Sequence, residues 1–393
     1  MYKSIKKALA LALAMVLFLG LSTVSQAAEG RKLRIVTTVF PQYDWIRNIL
    51  GDRLDQVELT LLQDSGVVLH NFQPSAQDIM KVSSADLFVY IGGVSDKWVE
   101  GAVSQAVNQE MVAVDLMKEL GDAVKADVTI EGMQETAHAH SHDDEHDHDH
   151  DAEHDHDHEE DHDHDHDAEH DHDHEEDHAH DHDADHDHAH EEEHDHDHDH
   201  DHDHDHAEDA VRVHSHDDEH IWLSLRNAQV LTQLLADRLS RVDADHASTY
   251  QKNAAAYIKK LKALDQQYQD AVAAAPVKTL LFADRFPFRY MMDDYGIQYF
   301  AAFAGCSAET EASFETVTFL SGKVDELSLK NVLVLEGADK DLASTIVSNT
   351  KGKDQAVVVF DSMQSVDKEA LAQGASYLGI MEKNLQALKT ALN

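Results

Sequence analysis

Cysteine is almost missing from this chain. Among 393 residues there is one, Cys306. A single thiol cannot close an internal disulfide, so stability has to come from a packed core. Positive charge is also scarce, with 31 Lys and Arg against 77 Asp and Glu and a formal net charge of −46. A surface of that sign repels phosphate, which excludes nucleic acid as a partner. Past the N-terminus no apolar run is long enough to cross a bilayer. A nucleophile elbow is missing as well, and the chain does not read as an enzyme.

The N-terminus is read as a secretory signal. Lys3, Lys6 and Lys7 precede the apolar run "ALALALAMVLFLGL", and "STVSQAAEG" supplies small residues for cleavage after about Ala27. No Cys stands there to be acylated. The expected location is the periplasm or the outside of the cell, for a protein that does not itself span the membrane.

The charge is local. Between positions 138 and 220 lie 31 of the 33 histidines and 39 of the 77 acids, with Arg212 as the one base. That stretch holds 38 of the 46 net negative charges and almost no apolar side chains. It cannot bury enough surface to offset chain entropy. Residues 138–216 are therefore read as a disordered, metal-binding His/Asp insertion.

The flanks alternate between β-branched runs and helical patterns. Strands are expected in "LRIVTTV", "VELTLL", "DLFVYIG" and "MVAVD", then in "KTLLFAD", "IQYFAAF", "NVLVLEG" and "AVVVFDS". Two long helical patterns fall at 226–240 and 244–273. This predicts an α/β fold of two lobes, each a mostly parallel sheet with flanking helices, joined by a long rigid helix. The expected divisions are 1–27, 31–137, 138–216, 217–275 and 276–393. Ligands of such sheets bind at the carboxyl ends of strands.

His70 lies in a loop after a strand, either facing that cleft or lying on the surface. His220 is followed at once by "IWLSL", so folded structure holds it, unlike the histidines before it. Asp361 and Asp284 are read as ending strands, where an Asp also serves as a helix cap. Imidazoles with strand-end carboxylates are the donor types of a Zn²⁺ or Mn²⁺ site.

The stretches "VTTVFPQYDWIRNILGD" (36–52), "HNFQPSAQDI" (70–79), "ADLFVYIGG" with "KWVE", "HIWLSLRNA" (220–228), "FRYMMDDYGI" (288–297), "LVLEG" and "VVFDS" resemble the zinc and manganese solute-binding proteins of ABC transporters. The resemblance covers nearly all of the chain after the leader, and zinc receptors of that kind carry a His-rich loop before their second ligand histidine. It implies ligands at His70, His220 and Asp361. It puts the third ligand on Arg285, a cation that only donates and cannot bind another. Asp284, one of Glu309 and Glu311, or water is left to fill the place, unless Arg285 pairs with a carboxylate and alters the site; Cys306 is read as a small buried side chain rather than a thiolate donor. Glu336 matches a family acid with a hydrogen-bonding role, and His246 is read as a surface residue.

The implied function is capture of Zn²⁺, with Mn²⁺ as the other candidate, and delivery to a membrane permease by a monomer. The tract would collect metal weakly. A metal buffer is the competing class: it would show many weak sites that depend on neither His70 nor His220.

Overall fold

A computed structural model of the chain describes residues 31–134, 213–305 and 311–393, which fall in one compact unit. The leader, nearly all of the 138–216 insertion, Cys306 and Glu309 lie outside the described residues.

Among the described residues the strands run in chain order: β1 Leu33–Thr37, β2 Val57–Leu61, β3 Leu87–Tyr90, β4 Val112–Asp115, β5 Ala126–Val128, β6 Val213–Asp217, β7 Thr279–Phe286, β8 Gln298–Ala304, β9 Asn331–Leu335 and β10 Ala356–Phe360. The first sheet has the order β2-β1-β3-β4 and the second β10-β9-β7-β8, all parallel. Parallel neighbours need crossover helices, and these cover the sheets. That is the expected α/β, two-sheet architecture. The apolar runs suit it: β9, "NVLVL", is buried at every position.

Local chemistry sets the helix starts. In Phe40–Leu50, Pro41 occupies the first turn, where its missing N–H costs nothing. The Gln42 side chain turns back to accept the N–H groups of Thr38 and Val39. Ser75, Ser224, Ser313, Asp367 and Ser376 cap five other helices through their side chains.

The expected long helix is Ala247–Ala274, 28 residues and about 42 Å at 1.5 Å per residue. Its buried residues, Tyr250, Ala254, Tyr257, Leu261, Leu264, Tyr268 and Val272, recur every three or four positions and form one apolar stripe. The stripe lies on Leu225–Val242, on Phe40–Leu50 beside the first sheet, and on Tyr377–Ala391 beside the second. Polar contacts fix the register: Tyr257 Oη donates to Asp44 at 3.3 Å, and Tyr268 Oη to the Met381 carbonyl at 2.6 Å. Asp44 also accepts the Tyr377 N–H at 3.0 Å. One helix thus binds both halves along its length. Direct contacts add to it, with Lys368 N–H donating to the Asp64 carbonyl at 3.0 Å.

Two sequence readings need correction. Residues 213–216 were assigned to the insertion, yet they begin β6, which pairs antiparallel with β5. Backbone hydrogen bonding to a neighbouring strand overrides a composition that reads as low-complexity. Asp284 was read as a strand end, but β7 continues through Arg285 to Phe286, since Arg285 and Phe286 still pair with β8.

Leu261 is fully buried in the middle of the long helix. We expect Leu261→Ala to cost about 3 kcal/mol, the usual penalty for such a cavity. Urea denaturation of the two proteins should separate their midpoints with the slope unchanged; coincident curves would show that burial of Leu261 adds nothing to stability.

Candidate functional site

The carboxyl end of β2 leads to a short 3₁₀ turn, Leu69–Asn71. Leu69 is buried in the core and pins the turn, leaving His70 half-buried beside it. The carboxyl end of β3 leads through Gly92 and Gly93 to Ser95. The end of β6 leads to Asp218, Glu219 and His220, all buried, and then to the buried turn Ile221–Leu223.

That last segment is anchored on every side. Asp218 N–H donates to the Lys125 carbonyl at 2.7 Å, and Tyr290 Oη donates to the Asp218 carbonyl at 2.8 Å. Trp222 Nε1 donates to the Ser362 carbonyl at 2.9 Å, and Tyr377 Oη donates to the Trp222 carbonyl at 2.6 Å. His220 is therefore part of the folded frame and fully buried.

The two histidine rings meet edge to face, with centroids 5.3 Å apart and planes at 73°. Each Nδ1 is committed to an acid or its relay. His220 Nδ1 lies 2.8 Å from Asp218 Oδ1. His70 Nδ1 lies 2.8 Å from Ser95 Oγ and 3.3 Å from Glu219 Oε2. Both Nε2 atoms are buried and have no hydrogen-bond partner among the described residues. A buried imidazole nitrogen without a partner is costly, and such an exception calls for an explanation. Two imidazoles that share a tetrahedral ion at 2.0–2.1 Å would have centroids about 5.2 Å apart, so this spacing suits one shared cation.

The surroundings are acidic. Burial pushes the Glu219 carboxyl up, but hydrogen bonds from His70 and Ser95 outweigh it and hold the group below the ordinary value. Asp96 accepts the N–H groups of Ile91 and Gly92. Burial pushes it up to about 7, against those two bonds and with added repulsion from Glu219.

Asp361 follows β10 directly, as expected. Its backbone is clamped by Asn384, whose amide accepts from Asp361 N–H and donates to its carbonyl. Its Oδ1 accepts the Met363 N–H at 2.8 Å. Burial, then the charge of Glu336, raises the carboxyl to about 6. Glu336 accepts from Ser362 N–H, Ser362 Oγ and Ser365 Oγ, which is the hydrogen-bonding role expected of it. Asp361, Glu336 and Lys383 line a cavity of about 370 Å³ to which neither histidine contributes. Among the described residues, no three His, Cys, Asp or Glu side chains converge as a ready metal set. The structure brings His70 and His220 together and leaves Asp361 outside the pair.

Asp284 has both carboxylate oxygens on backbone N–H groups, those of Arg285 and Leu335. Its observed work is structural. Arg285 lies beside it in β7 and lines a cavity of about 300 Å³ with Glu336 and Asp339. Among the described residues its guanidinium has no ion-pair or hydrogen-bond partner. Glu311 is exposed. His246 pairs with Asp243 near the surface, as read.

Sequence reasoning missed Asp218, Glu219 and Ser95. The two acids fall in the folded division 217–275, but the sequence reading gives them no role, although they directly precede the histidine singled out as folded. An acid placed next to a buried His was the available signal.

Two parallel-sheet lobes, a long connecting helix and an acid-backed histidine pair define the frame of a solute-binding protein. The family model described as ZnuA, zinc-uptake complex component A, periplasmic, matches residues 35–391, and the chain belongs to that family. Its members are components of an uptake complex, not enzymes. The "Zinc-binding lipoprotein AdcA" of Streptococcus pneumoniae is 28% identical over 98% of this chain and 60% of its own length. The "High-affinity zinc uptake system protein ZnuA" of Bacillus subtilis is 26% identical over 94% of this chain and 90% of its own. The chain thus spans about 60% of the AdcA relatives' length. In fold it is similar to the Zn(II)-bound ZnuA-like domain of Streptococcus pneumoniae AdcA, with a TM-score of 0.58, 23% identity, and 92% of this chain and 99% of that one covered. The Bacillus subtilis lipoprotein YcdH gives a TM-score of 0.60 at 23% identity, with 92% and 99% covered.

The raised carboxyl of Asp361 has a consequence for stability. In the unfolded chain it ionises near the ordinary 3.8. Its contribution therefore favours the fold fully below that value and is lost as pH rises through about 6. With metal chelated, Asp361→Asn should be more stable than the parent at pH 7.5 by on the order of 1–3 kcal/mol. The gap should close towards pH 4. Denaturation curves that stay parallel from pH 4 to pH 7.5 would refute this.

Proposed function

We propose that the protein is an extracytoplasmic receptor that captures Zn²⁺ and delivers it to the membrane permease of an ABC transporter. The observation that carries this reading is the pair of buried, unpartnered Nε2 atoms on His70 and His220. Neutral imidazoles favour Zn²⁺ over Mn²⁺, which prefers hard oxygen donors. The names of the relatives support zinc: the AdcA proteins are called zinc-binding and the Bacillus subtilis ZnuA a high-affinity zinc uptake protein.

Asp361 is the proposed carboxylate donor. It sits one residue from Ser362, whose carbonyl holds Trp222, two residues beyond His220. A small relative movement of the two halves would bring it towards the pair, and the long helix limits that movement. Asp284 and Glu311 rank behind it, because the first is bound on both oxygens and the second is exposed. The periplasmic family description agrees with a secreted protein, and no helix among the described residues is long and apolar enough to cross a membrane. The secretory leader, the monomeric state and the weak collecting role of residues 138–216 complete the proposal.

Calorimetric Zn²⁺ titration against a competing chelator tests it. The parent should show one tight site, and so should a chain lacking residues 138–209, which leaves β6 intact. His70→Ala or His220→Ala should lower tight affinity at least about 100-fold, since each removes a direct ligand. Tight binding that vanishes with the tract and ignores both histidines would instead make the protein a buffer.

A further inference from the structure

The contacts of Glu219 fix a proton that no diffraction experiment at ordinary resolution would see. Glu219 is buried, and both of its carboxyl oxygens accept from Ser95. Oε1 takes the Ser95 N–H at 2.8 Å, and Oε2 lies 2.5 Å from Ser95 Oγ. Ser95 has one hydroxyl proton, and at that distance from a carboxylate it must donate to Glu219. Ser95 Oγ is then an acceptor towards His70 Nδ1, 2.8 Å away. Glu219 Oε2 faces the same nitrogen at 3.3 Å. Two acceptors converge on His70 Nδ1, so that nitrogen carries the proton and Nε2 keeps its lone pair.

The site makes room for this acid. A Cβ built on Gly93 would lie 2.4 Å from Glu219 Oε1, and Gly93 has φ +78, a conformation that L side chains rarely adopt. Gly93 therefore lets the carboxylate lie against the backbone, where it also reaches the Ser95 N–H.

We propose that Glu219 is a positioning residue that selects, with Ser95 as relay, the Nδ1–H tautomer of His70 and so presents its Nε2 lone pair for coordination. The proposal extends the zinc-receptor reading to a residue that touches no metal; the tautomer itself does not depend on which metal is bound. Metal-ligating histidines are commonly oriented by an acid on the other ring nitrogen, and losing that acid typically costs 10–100-fold in affinity.

Glu219→Gln is the discriminating change because it keeps shape while reversing one polarity. The Gln carbonyl can still accept the Ser95 N–H. Its amide then turns N–H groups towards Ser95 Oγ and His70 Nδ1. Nδ1 becomes an acceptor, the proton moves to Nε2, and the lone pair is lost where metal would bind. Ser95→Ala cuts the relay without touching the acid, which still faces Nδ1 directly, and should have a smaller effect of the same sign.

The test uses the full chain, metal-free and labelled with ¹⁵N-histidine. Two-bond ¹H–¹⁵N correlations report the tautomer, and those of His70 are the ones missing from His70→Gln. In the parent they should show Nδ1–H. In Glu219→Gln they should show Nε2–H, and Zn²⁺ affinity should fall 10–100-fold, with the thermal midpoint close to the parent's. If the variant keeps Nδ1–H, the proposal is overturned whether or not affinity falls. It is overturned equally if the tautomer changes and affinity stays within about twofold while the parent binds zinc tightly. Should the parent show no tight zinc site at all, the receptor reading fails, and the tautomer result alone then decides what Glu219 does.

Discussion

Everything around the histidine pair depends on how the segment from Asp218 to Leu223 is held. It is where the end of β6, the turn after β10 and the C-terminal helix meet through hydrogen bonds to backbone groups. The Asp218 carbonyl takes Tyr290 Oη, Trp222 Nε1 reaches the Ser362 carbonyl, and Tyr377 Oη reaches the Trp222 carbonyl. Each of these groups is buried, so a broken bond would leave an unsatisfied polar atom and cost about 1–3 kcal/mol. A ring held in this way has one position. Asp218 and Glu219 then fill the Nδ1 side of both imidazoles, and only the Nε2 side remains open.

Acids gather near this segment and around Asp361, where Lys383 lines the same cavity. Asp96 and Asp361 are both pushed upward by burial, and each is raised further by a neighbouring glutamate. Arrangements of this kind are unfavourable for an empty fold and favourable for one that holds a cation. They agree with a receptor whose stability is linked to its cargo. The long helix adds the mechanical side of that receptor. Because Tyr257 contacts Asp44 and Tyr268, about three turns further along the helix, contacts Met381, the two halves share a rigid strut.

Arg285 is where this chain departs from the resemblance read in its sequence. A guanidinium stands where a third donor is implied. The neighbouring Asp284 does not replace it in the described geometry, since the N–H groups of Arg285 and Leu335 occupy its oxygens. The strand runs on past both residues, so their side chains are set by sheet pairing rather than by a free strand end. Among the described residues the two Nε2 atoms are buried without a partner, as is Asp96 Oδ1.

The alternation of strand and helix, and hence the α/β class, is legible in the residues alone, because β-branched runs and apolar stripes each suit one periodicity. So is the single long helix, from an uninterrupted 3.6-residue pattern. The residues also mark His220 as folded, since "IWL" directly after it has to be buried. Which groups lie together is set by the packing of the whole chain. Ser95 and Glu219 are 124 residues apart in the chain and share hydrogen bonds. The end of the tract was illegible for the same reason: residues 213–216 look like their predecessors, yet a partner strand 85 or more positions earlier captures their backbone. Composition reports whether a segment can bury its own surface. It does not report which distant backbone or carboxylate will meet it, because that depends on packing the whole chain at once.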